Sequence, residues 1–433
     1  MQRERSLTEL YAEDPERADA VAFGRRGALR GASLAALGAA LGAAVPFAAR
    51  MPTGLLPAAL AQPAGAPPTL RMEGKAPLLL LGERPLVAET PEAMLDDDVT
   101  PADKMFIRNN GGIPDRFAAD ARTWRLKIEG EVNTPFDLSL GEIESRFETV
   151  TLRLQMECGG NGRAGFVPET RGNQWANGAI SNAEWTGVRL RDLLRAAGMK
   201  DTARFTGHYG ADPHLSGDTA RPAISRGMPV TKAMEDTTIV AFRMNGAPIP
   251  QVHGNPVRLI VPGWPGSLSQ KWLNRILLRA TPHDGQGMGG TSYRVPVRPI
   301  VPGSNDNGAA FADMTSMPVR ALLTNVAHGT RLAAGTRRLD LRGHAWAGDL
   351  TARAVHVSTD FGATWREMAV APPPNRHSWQ RWSGTVELPS DGYYEIWTRG
   401  TDSEGRMQPH AAANWNPQGY GANPVTRVAV LVG

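Results

Sequence analysis

A chain of 433 residues with 41% hydrophobic content is long enough for two or three domains with their own cores, which excludes disorder over its whole length. Its formal charge of +4 and pI near 9.4 are spread along the chain rather than gathered into Lys/Arg runs, so no nucleic-acid surface is indicated, while local arginine pockets for small anions stay open. The single cysteine, Cys158, excludes an internal disulfide, an iron–sulfur cluster and a Cys-rich zinc site, and the lack of C-x-x-C-H excludes covalent c-type haem.

In chain order, residues 1–61 read as an address. Arg25-Arg26-Gly27-Ala28-Leu29-Arg30 is a twin-arginine pair, followed by an Ala/Gly/Leu-rich stretch from Gly31 to Ala49 and small residues at Ala59-Leu60-Ala61 that suit cleavage. The stretch is too short and too weakly apolar for a membrane span, so the expectation is Tat export to the periplasm. Tat cargo is typically folded and cofactor-loaded before export. Residues 62–95 are Pro- and Ala-rich and read as an extended leader.

Residues 96–300 mix short alternating strands, such as Trp124–Gly130 and Val150–Gln155, with brief helical patterns such as Leu190–Ala197. That mixture predicts an α+β domain. The Pro/Gly/Asn-rich passage from Val295 to Pro318 reads as a connection between domains. Residues 315–433 are almost all strand, with a hairpin from Ala354 to Trp365 turning at Asp360-Phe361-Gly362 and further strands over Tyr393–Arg399 and Val425–Leu431. Their spacing predicts an all-β immunoglobulin-like sandwich.

The most informative segment is Leu154-Gln155-Met156-Glu157-Cys158-Gly159-Gly160-Asn161-Gly162-Arg163. A strand ends at the cysteine and a glycine-rich turn follows, with an arginine five residues on. Glycines let backbone approach a bulky ligand, and a thiolate there suits a soft metal. By spacing alone a structural turn is the commoner explanation. Isolated Arg and Lys residues are likewise usually solvated, tryptophans usually core, and a Tyr among Gly and Ser usually a loop residue.

Those residues do not stand alone. Phe106-Ile107-Arg108-Asn109-Asn110, the Cys158 segment, Trp175 to Ile180 with Trp185-Thr186-Gly187, Met244-Asn245-Gly246, His253 to Gly263, Lys271-Trp272-Leu273 and Trp415 to Tyr420 occur in an order that resembles the sulfite oxidase family of molybdenum oxidoreductases over nearly the whole mature chain. The resemblance implies a mixed α/β molybdopterin domain followed by a dimerisation sandwich. It implies that Cys158 ligates molybdenum beside the two dithiolene sulfurs of one pterin. Arg108, Arg163, Tyr293 and Trp175 then match residues of an anion pocket, and His253, Arg258 and Lys271 match residues that hold the pterin and its phosphate, with Asn109, Asn110, Ser269 and Gln270 on adjoining loops. A further pocket arginine would come from the C-terminal domain near Arg381, although the alignment places Gln380 at that position. Asn110 stands where vertebrate-type enzymes carry a histidine.

The function implied is a periplasmic sulfite dehydrogenase, with no haem in the chain, a separate cytochrome c as electron acceptor and a homodimer as the assembly. Arginine forks suit the oxygens of sulfite, and the metal carries the electronic chemistry while protein supplies placement and charge. A sulfane sulfur dehydrogenase subunit is the alternative inside the family, and a cofactor-free exported binding protein the alternative outside it. A methionine sulfoxide reductase subunit fits less well, because it usually lacks a C-terminal sandwich.

Overall fold

The structure is a computed structural model that describes residues 68–114, 121–304 and 308–433, so the twin-arginine segment lies outside the described residues. The expected α+β domain followed by an all-β domain is what the chain forms. Strand carries most of the regular structure, and the helices are short.

The segment read as an extended leader is more structured than its composition suggests. Leu79–Glu83 and Leu86–Glu89 pair as a hairpin that continues into Ile107–Arg108, and their apolar residues close a small core with Leu70, Leu78 and Val252. Proline-rich stretches hide short strands because the pattern is too brief to show a period.

Two sheets build the α+β domain. In one, Phe136–Ser139, Arg125–Gly130, Leu273–Arg279, Phe205–Gly210 and Ser225–Pro229 lie side by side, with the Arg125–Gly130 and Leu273–Arg279 pair parallel. Alternation in Arg125–Gly130 turns Leu126 and Ile128 into the main core. The helix Leu140–Arg146 that follows starts at a capping box, in which Ser139 Oγ accepts from the Glu142 amide at 3.2 Å and the Glu142 carboxylate accepts from the Ser139 amide at 2.8 Å.

In the other sheet, Thr149–Glu157 pairs antiparallel with Ile180–Arg189, which pairs with Ile239–Met244. The outer half of Thr149–Glu157 is partly exposed, but Leu154, Gln155, Met156 and Glu157 are all buried. Period-two alternation explains this: Leu154 and Met156 enter the core behind the cysteine, while Gln155 and Glu157 face the C-terminal domain. The strand that delivers Cys158 is therefore covered on both faces.

The C-terminal domain is eight strands bonded in the order Arg320–Leu323, Arg338–Trp346, Gln380–Glu387, Arg366–Val370, Ala352–Ser358, Gly392–Asp402, Thr426–Val432 and Thr330–Leu332. The sheet folds over one core that holds Trp382, Ile396 and Val428 together. The hairpin at Asp360-Phe361-Gly362 forms as expected, with Phe361 and Gly362 at φ 59° and 85°. The connecting passage is not featureless, since Arg294–Pro296 pairs with Phe311–Asp313.

Candidate functional site

Cys158 follows the last residue of its strand. Its amide donates to the Ala179 carbonyl and its carbonyl accepts from the Asn161 amide, each at 2.9 Å, so the backbone is satisfied and the buried thiol is left free for a ligand. An added Cβ at Gly160 would lie 2.3 Å from the Arg163 guanidinium, so any side chain there would have to displace that group. Gly162 at φ 79° turns the chain back.

A cleft opens beside the thiol. Of the expected site residues, Arg108, Asn109, Asn110, Cys158, Arg258, Ser269, Gln270, Lys271 and Tyr293 line it. Three others stand behind that surface. Arg163 is buried, with Nε donating to Gln418 O at 2.9 Å and Nη1 to Asn173 O at 2.8 Å. Trp175 is fully buried and meets the cleft-lining Phe106 edge-on at 5.9 Å. His253 is also fully buried, its Nε2 3.0 Å from Lys75 Nζ. The structure does not bring Arg381 to the cleft: it pairs with Asp96 at 2.9 Å and Asp98 at 2.8 Å in the seam between the domains. Gln380 is buried in that same domain, bonded to the Ala352 and Ala371 carbonyls.

The cleft is strongly cationic. Lys271 Nζ donates to Asn109 Oδ1 at 2.6 Å and to Val252 O at 2.7 Å. Burial holds its pKa well below the usual lysine value, and the neighbouring Arg258 and Arg108 push it further down. Arg258 donates to the His253 and Ser269 carbonyls at 2.8 and 3.0 Å, and burial lowers its pKa to about 9. Repulsion of this kind, with Asp212 the only carboxylate among the described residues that line the cleft, is relieved when an anion binds between the cations.

Residues that sequence reasoning missed complete the cleft. Asp212 is buried and its pKa is raised by burial to about 6. Lys75, from the expected leader, donates to the Ala102 and Met105 carbonyls at 2.7 Å each and reaches His253. Burial lowers its pKa to about 7. Glu89 accepts from the Ala176 and Gly178 amides at 3.0 and 2.7 Å and so pins the loop that carries Trp175. None belongs to a local motif, and only Asp212, near a strand end, lies where a periodicity argument would have looked.

The donor set fits a pterin-bound molybdenum. The lining joins a soft thiol, Cys158, to cations for a phosphate, Lys271 and Arg258. The same lining carries buried polar atoms without partners: Asn109 Nδ2, Ser267 Oγ, Gln270 Oε1, Arg258 Nε and Asp212 Oδ1. Orphaned groups in a buried cleft are costly unless a polar ligand satisfies them.

The comparisons with known proteins agree. Residues 110–287 match the oxidoreductase molybdopterin binding domain and residues 312–433 the Mo-co oxidoreductase dimerisation domain. Sulfite oxidase of Gallus gallus is 30% identical over 78% of this chain and 74% of its own length. Nitrate reductase [NAD(P)H] of Hordeum vulgare is 29% identical over 84% of this chain and 42% of its own length. Among solved structures, the sulfane dehydrogenase SoxCD from Paracoccus pantotrophus superposes with a TM-score of 0.65 over 84% of this chain and 91% of that one, and at 23% identity it shows a shared fold. With the motifs, the cleft and both domain matches in agreement, the chain belongs to the sulfite oxidase family of molybdopterin-dependent oxidoreductases.

Proposed function

We propose that this protein is an exported sulfite dehydrogenase that oxidises sulfite to sulfate in the periplasm and passes its electrons to a separate cytochrome c. The observation that carries the reading is Cys158, buried at the end of its strand and lining a cleft that also holds Lys271 and Arg258. The twin-arginine segment supports export. Among the described residues no helix is long and apolar enough to cross a membrane. The match over residues 312–433 supports a homodimer.

The bound cofactor supplies two-electron oxygen-atom transfer, and the chain supplies placement. Cys158 provides the protein sulfur ligand. Lys271 and Arg258 neutralise the cofactor phosphate, and Asn109, Ser267 and Gln270 offer hydrogen bonds to its polar edges. Asn110 lines the same cleft, and His253 backs Arg258 through its carbonyl, with Lys75 holding the imidazole. Arg108 and Tyr293 face a small oxyanion entering beside Cys158, while Phe106, Met105 and Ile224 exclude water and so strengthen those contacts.

Steady-state assays with cytochrome c as acceptor test the reading. Turnover with sulfite is expected to exceed that with thiosulfate by at least about tenfold in kcat/KM, a difference of about 1.4 kcal/mol in transition-state binding. A preference for thiosulfate would make the chain a sulfane sulfur dehydrogenase subunit. Reduction of nitrate without oxidation of sulfite would overturn the sulfite reading altogether.

A further inference from the structure

The arginine expected from the C-terminal domain is engaged elsewhere, and Arg163 and Arg258 spend N–H donors on backbone carbonyls. A small dianion beside Cys158 needs more than one cationic fork. One further guanidinium, to which no motif pointed, lies just behind the cleft wall against the cleft-lining Tyr293.

Arg226 lies in the strand Ser225–Pro229 and is only 3% exposed. Ile224, two residues earlier, lines the cleft, and the two side chains share a side of the chain: a Cβ added at Gly287 would touch both, at 3.1 Å from Ile224 and 3.8 Å from Arg226. The Arg226 guanidinium carbon sits 4.3 Å from the centroid of the Tyr293 ring, and Tyr293 lines the cleft next to the Cys158 turn. Tyr293 in turn stacks on Tyr420 at 5.0 Å, and Arg163 lies 5.4 Å from the Tyr420 ring. The stack therefore runs Arg226, Tyr293, Tyr420, Arg163.

Within the fold Arg226 donates through Nη1 to the Gly287 carbonyl at 2.6 Å and to Met288 Sδ at 2.8 Å, whereas Nε is buried and has no partner. Asp313, Tyr420 and the neighbouring cation Arg294 act on its charge only at a distance, and it forms no ion pair among the described residues. An unpaired guanidinium with an unsatisfied N–H behind the ring that walls the cleft is a site waiting for an acceptor.

We infer that Arg226 is a substrate-binding residue, which together with Tyr293 receives the oxygens of the sulfite oxyanion and replaces the cation that Arg381 does not provide. The inference rests on the sulfite reading for the identity of the oxyanion. The binding role itself is independent of turnover, because sulfate, the product, carries the same charge and keeps three oxygens in the pyramidal arrangement of sulfite.

The test uses cofactor-loaded enzyme carrying Arg226→Met or Arg226→Lys. Sulfate affinity is measured by calorimetry, KM and kcat for sulfite by steady-state assay, and integrity by molybdenum content and near-ultraviolet circular dichroism. Loss of a charge-assisted pair is expected to weaken sulfate binding by about tenfold to a hundredfold in Arg226→Met. KM for sulfite should rise by a similar factor with kcat within about threefold, and Arg226→Lys should fall between. Unchanged sulfate affinity in Arg226→Met would overturn the inference, as would a fall in kcat with KM and sulfate affinity intact, which would mark Arg226 as a support for the Tyr293 ring alone. Should the unaltered enzyme fail to oxidise sulfite, the functional reading falls, and the sulfate arm still decides whether Arg226 binds an oxyanion.

Discussion

Cys158→Ser is expected to reduce sulfite turnover by more than about a hundredfold, since even changes one shell beyond a metal's ligands cost 10- to 100-fold. The fold should survive. The backbone bonds of residue 158 to Ala179 and Asn161 do not involve the sulfur, and a serine hydroxyl costs at most the desolvation of one polar group, about 1–3 kcal/mol. Near-normal sulfite oxidation by this variant would show that the thiol is no ligand. A variant that fails to fold would be set aside in favour of Cys158→Ala, which adds no polar group and carries the same expectation.

The largest effect on stability is expected one residue earlier. Glu157 and Arg320 form an ion pair at 2.7 Å with both side chains essentially buried, and it joins the cysteine strand to the first strand of the C-terminal domain. Asn161 Nδ2 and Trp346 Nε1 donate to the same carboxylate at 2.9 and 2.8 Å. Arg320 also reaches the carbonyls of Asn161 and Ala422, so one guanidinium ties the cysteine turn to the chain near its end. Burial pushes Glu157 above the usual carboxylate range even with the guanidinium beside it. Removing one partner leaves the other charge buried and alone. Glu157→Ala should therefore cost about 3–5 kcal/mol, read from chemical denaturation of the cofactor-loaded protein. Combining Glu157→Leu with Arg320→Met should recover part of that loss, because two apolar groups replace two charges. Recovery stays partial, since the carbonyls of Asn161 and Ala422 lose their donor. A single-variant cost below about 1 kcal/mol would mean that the pair behaves as a surface bridge.

How far the sequence showed the site follows from where each residue gets its position. Cys158, Arg258 and Lys271 sit in contiguous motifs next to strand ends, and backbone geometry alone carries them to the cleft. The alternating strands of the C-terminal domain were legible because each has one face on a common core. Arg163, Trp175 and His253 belong to motifs as clear as these, yet they stand one layer back, because spacing cannot say whether a buried side chain faces a ligand or a carbonyl. Arg381 shows the limit most sharply. The resemblance puts Gln380 at the pocket position and Arg381 one residue later, and Asp96 and Asp98, nearly three hundred residues earlier, capture Arg381. Lys75, Glu89 and Asp212 were invisible for the same reason, since their roles come from long-range packing of single charges.

The central claim is that the cleft beside Cys158 holds one pterin-bound molybdenum with the cysteine sulfur as ligand. Quantitative metal analysis of the protein purified from its own organism, joined to X-ray absorption at the molybdenum edge, tests it most directly. One molybdenum per chain is predicted, with one sulfur neighbour fewer in Cys158→Ser than in the unaltered enzyme. A colourless protein without stoichiometric molybdenum, or a sulfur shell unchanged by the substitution, would contradict it.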